Sequence, residues 1–361
     1  MARINVTKTF IPPMEEYREY LYKIWSSGQL TNQGPLLHEF ESKAKEYLGV
    51  DYFHFVTSGT VALQVALRGL GINNGEVITT PFSYVATTSA ILWEKLNPIF
   101  VDIDPNTLCI DADKIEAAIT TDTKAIMPVH VFGIPCDIDK IKVIAQKHNL
   151  KVIYDAAHAF GVKYRGGSLA KHGDISVLSF HATKLFHTIE GGGIIVNDKK
   201  LSETIELMKR FGHQNDDHYL LGINAKPSEF QAAMGLCNFN HIDSIIEQRK
   251  VVAELYDRLL GARVERPEIA SDRIEYNYAY YPIILKSEEE LLKVVSSLEE
   301  KDVSPRRYFY PSLNTLPYLK KQQHCPISED VARRILCLPL YSDLALNDVE
   351  KISKIILESL I

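Results

Sequence analysis

The sequence has no surplus of positive charge: 46 acidic residues outnumber 40 basic ones, for a formal net charge of −6 and a pI near 6.1. That balance gives no electrostatic case for a nucleic-acid or membrane-surface partner. It has no run of 18 or more apolar residues, so no transmembrane helix is expected. The opening MARINVTKTFIPPMEEYREY carries charges where a secretory leader needs an apolar stretch. Cysteine is sparse: Cys109, Cys136, Cys237, Cys325 and Cys337 are odd in number, and no two have CxxC spacing. Free buried thiols in a reducing compartment are the simplest reading, and the cytoplasm is the expected location. No internal repeat or low-complexity segment stands out. No GxGxxG follows the first strand-like segment, which weakens a dinucleotide-binding reading.

What is present is an ordinary globular balance, 46% hydrophobic and 24% charged over 361 residues, long enough for roughly two domains at about 150 residues each. Short apolar, β-branched runs alternate with amphipathic helices. FHFVTSG leads to VALQVALRGL, EVITTPF to VATTSAILWEKL, PIFVDI to DKIEAAI, and TKAIMPVHVFG to IDKIKVIAQKHN. KVIYDAAHAFG, DISVLSFHA and GGIIVND complete the series, the last two as a hairpin-like pair. This rhythm predicts an α/β domain with a mostly parallel sheet covered on both faces. It breaks near the long helical segment DSIIEQRKVVAELYDRLLGA, so the expected division is a large domain over 1–239 and a smaller α+β domain over 240–361.

Three strand ends carry chemistry. In TSGTVALQVAL, Ser58, Gly59 and Thr60 open a helix, where free N–H groups attract an anion; the same residue types also serve as plain N-caps. In KVIYDAAHAFG, Asp155 closes a buried strand, at the sheet edge where ligands bind in open α/β folds. A turn-capping carboxylate is the alternative there. His158 follows three residues on, as a ligand contact or a satisfied core imidazole. In SFHATKLFHTIEGGG, Lys184 stands among Phe180, Leu185 and Phe186, whose bulk would lower its pKa toward the free amine that Schiff-base chemistry needs. Gly191, Gly192 and Gly193 would allow positive φ or close passage past a planar ligand. His181 and His187 do not match a zinc spacing, and no metal is expected.

Together these segments supply what pyridoxal phosphate (PLP) requires: a phosphate cradle in Ser58–Thr60, a carboxylate for the pyridine nitrogen in Asp155, and an amine for the aldehyde in Lys184. A ring-stacking aromatic is offered by Phe82 or Tyr84 in TTPFSYVAT. Asp155 would keep the ring nitrogen protonated and the ring an electron sink.

The chain also resembles the nucleotide-sugar aminotransferases, the DegT/DnrJ/StrS branch of the fold-type I PLP enzymes. The likeness rests on LTNQGPLLHEFE, TSGTVALQVAL, ITTPFSYVATTSAI, PIFVDIDPNTLCID, MPVHVFG, YDAAHAFG, SFHATK with EGGG, and LGINAKPSEFQAAMG. It implies a large, mostly parallel seven-stranded sheet domain with a smaller C-terminal α+β domain. It assigns Lys184 to the cofactor aldehyde and to proton shuttling, Asp155 to the pyridine nitrogen, and Gly59, Thr60 and Ser179 to the phosphate. Phe82 would stack on the ring and His158 would lie on its other side or near its oxygen. Asn224 would reach the phosphate of a neighbouring subunit, making a homodimer with shared sites. Lys226 and Pro227 stand where that family writes Arg and Met. His187, Glu190, Arg307 and Tyr308 are candidate substrate contacts. The implied reaction is ping-pong transfer of an amino group from glutamate to a nucleotide-linked ketosugar. In that family an FHxxK…EGG loop accompanies 4-keto-6-deoxy sugars, so C4 of a dTDP-4-keto-6-deoxyhexose, by that likeness the glucose-derived one, is expected. C3 amination is the alternative, and a non-catalytic PLP-binding regulator or sugar-nucleotide sensor is a rival of another class.

Overall fold

The computed structural model describes residues 3–269, 273–321 and 323–360. Helices α1 (Met14–Ser27) and α2 (Pro35–Leu48) precede the alternating series. That series runs β1 (Tyr52–Val56), α3 (Gly59–Gly69), β2 (Glu76–Thr79), α4 (Ala86–Trp93), β3 (Asn97–Phe100), β4 (Thr123–Met127), α5 (Ile138–His148), β5 (Lys151–Asp155), β6 (Ile175–Ser179) and β7 (Gly192–Val196). The seven strands form one sheet in the order β1-β7-β6-β5-β4-β2-β3. Every pairing is parallel except those of β7, which is antiparallel to both β1 and β6. The hairpin-like pair read from the sequence is therefore β6 and β7. Both faces are buried under helices, which is why these strands read as continuous apolar runs rather than alternating ones.

Because β7 runs backwards, its first residue lies at the carboxyl edge of its neighbours: Gly192 sits opposite Val56 on one side and Ser179 on the other. The glycine run serves this packing. A Cβ on Gly192 would lie 2.5 Å from the Ser58 carbonyl carbon, and one on Gly193 would lie 2.5 Å from the Phe53 ring. None of the three glycines has positive φ, so the expected left-handed backbone is absent; close approach of protein to protein is what excludes a side chain.

Helix starts follow their caps. Ser58 accepts from the Val61 N–H, and Asp137 does the same for Lys140, each such cap contributing about 1 kcal/mol. Beyond β7 come α6 (Lys199–Met208), α7 (Glu229–Phe239) and α8 (Ile242–Leu260). The start of α7 carries a capping box between Ser228 and Gln231. The buried Glu229 carboxylate accepts from the N–H groups of Leu36 (2.8 Å) and Leu37 (3.1 Å), capping α2 from a distance. A Cβ on Gly34 would fall 2.5 Å from that carboxylate. The segments LTNQGPLLHEFE and PSEFQAAMG thus lock to one another.

The remaining chain forms β8 (Tyr281–Ile284), α9 (Glu288–Glu299), α10 (Pro326–Arg334), β9 (Ile335–Leu338) and α11 (Leu346–Ser359). Strands β8 and β9 pair antiparallel. Helix α8 joins two cores: Ile242 and Ile245 pack with the large sheet, whereas Val252, Tyr256 and Leu260 pack with Ile283, Leu336 and Ile352. Ile4 and Asn5 pair in parallel with Val303 and Ser304, so the start of the described chain belongs to the C-terminal core. Among the described residues no helix is long and apolar enough to cross a membrane.

Candidate active site

A cavity of about 320 Å³ opens at the carboxyl edge of the sheet. Ser58, Gly59 and Thr60 form its floor, and Asp155, His158, Ser179, Lys184 and Glu190 stand in its wall. Tyr84, Tyr280, Arg306 and Tyr308 close the rest.

The floor is both things the sequence allowed. Ser58 caps α3 through its hydroxyl, and the N–H groups at the start of that helix point out of it, where the helix dipole favours an anion. A Cβ on Gly59 would lie 3.0 Å from Cβ of Ser179, so Gly59 is what lets the Ser179 hydroxyl stand beside the helix start.

Asp155 ends β5 almost fully buried. Its Oδ2 accepts from the Thr87 hydroxyl (2.7 Å) and its Oδ1 from the Ala157 N–H (3.1 Å). Thr87 in turn shares a 2.9 Å hydrogen bond with Ser83. Burial raises the Asp155 pKa, opposed by those two hydrogen bonds and by the charge of Lys184. Among the described residues it has no salt-bridge partner. A buried carboxylate that faces a cavity with no salt-bridge partner of its own fits the protonated nitrogen of a pyridine ring.

Lys184 lies in the turn after β6, held by its N–H donating to the His181 carbonyl (2.8 Å). Burial lowers the pKa of its amine; Asp155, Tyr308 and Tyr84 pull the other way. Its Nζ donates to the Tyr280 hydroxyl at 3.3 Å. His158 accepts from the Phe132 N–H at Nδ1 (3.2 Å), and burial holds its pKa well below the ordinary value. It is a neutral imidazole with its proton on Nε2. Its ring lies parallel to Phe309, 4° apart at 5.6 Å.

Several expected residues stand elsewhere. Phe82 is fully buried, edge-on to Phe132 and Phe309, and does not line the cavity; Tyr84, half exposed, does. His187 is buried with both nitrogens engaged: Nε2 is 2.6 Å from the Phe10 carbonyl, and Nδ1 accepts from the Ile189 N–H. It fixes the N-terminal segment and is outside the cavity wall. Arg307 points away, to Glu288 (2.6 Å), the Arg333 carbonyl and the Tyr310 ring. Asn224 is exposed and outside its own chain's cavity wall, accepting from Lys226 at 2.8 Å. Glu190 and Tyr308 are in the wall as expected, with the Glu190 carboxylate 3.5 Å from His181.

Of the wall residues that escaped the sequence reading, two bear on the chemistry. Arg306, the first arginine of PRRYFYP, lies over the Tyr308 ring at 4.8 Å and has no salt bridge among the described residues. Only strand register separates it from Arg307: its backbone pairs with Cys337 of β9, which turns its side chain to the cavity. Tyr280 immediately precedes β8 and carried no motif.

An α/β sheet with a desolvated lysine and a buried carboxylate beside a helix N-terminus is the arrangement that a PLP-dependent enzyme needs. Residues 13–357 match the DegT/DnrJ/EryC1/StrS aminotransferase family, and the chain belongs to that family. It is 43% identical over 365 residues to the dTDP-4-amino-4,6-dideoxy-D-glucose transaminase of Shigella dysenteriae, covering 98% of each chain. It is 36% identical over 337 residues to the GDP-perosamine synthase of Escherichia coli O157:H7, covering 92% of each. The crystal structure of DesI in the presence of its TDP-sugar product superimposes with a TM-score of 0.93 at 30% identity, covering all of this chain and 94% of that one.

Proposed function

We propose that the protein moves an amino group from glutamate to C4 of a dTDP-linked 4-keto-6-deoxyhexose, giving a dTDP-4-amino-4,6-dideoxyhexose. The observation that carries the chemistry is the presence, in one cavity, of the desolvated Lys184 amine and the buried Asp155 carboxylate, which has no salt-bridge partner among the described residues. The relative at 43% identity supports the C4 position and the dTDP carrier.

PLP, when bound, supplies the aldehyde that takes up the amino group and the ring that delocalises the electron pair. The chain's own residues do the rest. Asp155 holds a proton on the ring nitrogen, and Thr87 orients that carboxylate. Gly59 and Thr60 hold the phosphate by N–H groups, with the Ser58 and Ser179 hydroxyls beside them. The stacking role expected of Phe82 passes to Tyr84, two residues on. Lys184 Nζ moves the proton that must leave one carbon and arrive at another. Glu190 and Tyr308 face the substrate. Arg306 supplies a guanidinium to the anionic part of the nucleotide sugar, since a planar fork matches a phosphate.

The assembly is a homodimer. Phe211, Tyr219, Leu221 and Ile223 are exposed beside Asn224, an apolar surface suited to a second copy, whose cavity Asn224 would enter. The division at residue 240 separates a PLP-binding domain, 1–239, from the smaller 240–361. Five free, buried cysteines support a cytoplasmic site of action.

The test is to incubate the holoenzyme with glutamate and dTDP-, UDP- and GDP-linked 4-keto and 3-keto sugars and locate the new nitrogen by NMR. A 4-amino product on the dTDP carrier is expected. Preferred turnover of a GDP-linked sugar, or a 3-amino product, overturns the assignment.

A further inference from the structure

Tyr280 is an aromatic residue that packing alone would explain. Its ring meets His158 edge-on at 4.9 Å and Tyr308 at 5.6 Å, and tilts against Phe132 at 5.5 Å. A phenylalanine would satisfy all three contacts. The hydroxyl is what needs explaining, because it is carried into a wall of rings and meets the one amine in the cavity. Lys184 Nζ is 3.3 Å from the Tyr280 oxygen and 5.9 Å from its ring centroid, so the amine lies at the hydroxyl end of the ring and not over its face.

We propose that the Tyr280 hydroxyl is the resting partner of the Lys184 amine, holding it beside the reacting carbons whenever it is not joined to the cofactor. A phenol suits that task. It accepts from an ammonium and donates to a neutral amine, so the contact survives a change in the protonation of Lys184. A carboxylate would favour the charged form and oppose loss of its proton. Burial keeps the Tyr280 phenol protonated by raising its pKa. The two residues come from distant parts of the chain: Lys184 follows β6, and Tyr280 precedes β8, its ring packed into the core of the large sheet. The contact therefore also registers the amine against the surface that carries Tyr308 and Arg306. Tyr280 acts through Lys184 and is a positioning residue.

The inference rests on the reading of Lys184 given above, and the test separates the two. Tyr280→Phe is prepared as holoenzyme and treated with glutamate, which leaves the cofactor in its amine form and Lys184 free. Acetylation of Lys184 by acetic anhydride is then followed by peptide mass spectrometry. Loss of the hydroxyl's hold should raise the labelling rate about fivefold, the equilibrium worth of a lost hydrogen bond near 1 kcal/mol. Single-turnover rates of both half-reactions should fall by a similar factor, with cofactor content and melting temperature unchanged. Labelling and rates within twofold of wild type would overturn the inference. So would a lowered melting temperature with lost cofactor, which marks a packing role. If Lys184→Ala retains full turnover, the reading of Lys184 itself fails, whatever Tyr280→Phe does.

Discussion

At the scale of single residues, position along a loop decides function more than residue type does. Arg306 and Arg307 are adjacent and chemically identical, yet one faces the cavity and the other binds Glu288 and the Arg333 carbonyl. Arg306→Gln should lower kcat/KM for the nucleotide sugar by about 10- to 100-fold, the worth of a hydrogen bond to a charged group, and leave the glutamate half-reaction alone. Arg307→Gln should change it less than about twofold, because partly exposed ion pairs contribute little. Steady-state kinetics on the two variants checks both. Lys184→Ala should reduce turnover by about 100-fold or more, the range for removing a positioned acid–base group, as read in a cofactor-saturated assay.

Lys184, Asp155 and the Ser58–Thr60 turn were legible in the sequence because each ends an apolar run, and strand ends converge at one edge of a parallel sheet. That the core would bury Phe82 and leave Tyr84 in the cavity wall was not, since it depends on how the chain turns after Pro81. His187 misled for a related reason. It sits three residues from Lys184, but its partner, the Phe10 carbonyl, is 177 positions away, and no local pattern reports such a contact.

At the scale of elements, two buried charged groups tie separate elements together. Glu229 caps α2, so Glu229→Ala would leave the Leu36 and Leu37 N–H groups without their acceptor. A loss of about 2–4 kcal/mol in unfolding free energy is expected from two unsatisfied donors, measured by denaturant titration. The fully buried Lys209 bonds to Glu41 of α2 (2.8 Å) and Glu206 of α6 (2.9 Å), and Glu206 also meets His54 of β1 at 3.1 Å. Burial by itself would raise the Glu206 pKa; the His54 hydrogen bond and Lys209 outweigh it and hold the group at about 2, below its ordinary 4.5. A depressed carboxylate stabilises the fold above its unfolded pKa, and that contribution fades as pH falls from 4.5 to about 2. The melting temperature of Glu206→Gln should therefore depend less steeply on pH across that window than wild type does.

The βα alternation was readable because period and punctuation are local. The role of PSEFQAAMG was not, because Glu229 acts across 193 positions on a helix start that itself begins with Gly34 and Pro35.

At the scale of the whole molecule, the proposed shared-site dimer makes a prediction that a single chain cannot. Lys184→Ala and Asn224→Ala lesions would fall in different halves of each site. Mixed after unfolding and refolding together, two weak or inactive variants should regain up to about a quarter of wild-type activity, since half of randomly paired dimers carry one intact site of two. No recovery, with dimers present by light scattering, would place Asn224 outside a shared site.

The N-terminal strap has its own consequence. Ile4 and Asn5 lie against Val303 and Ser304, Thr9 donates to the Ala182 carbonyl, and Phe10 receives His187. During synthesis, residues 4 and 5 leave the ribosome long before their partners exist, and must wait for nearly 300 further residues. The earliest part of this segment to be made is therefore the last part of it to be seated, since Thr9 and Phe10 meet Ala182 and His187 long before Val303 and Ser304 exist.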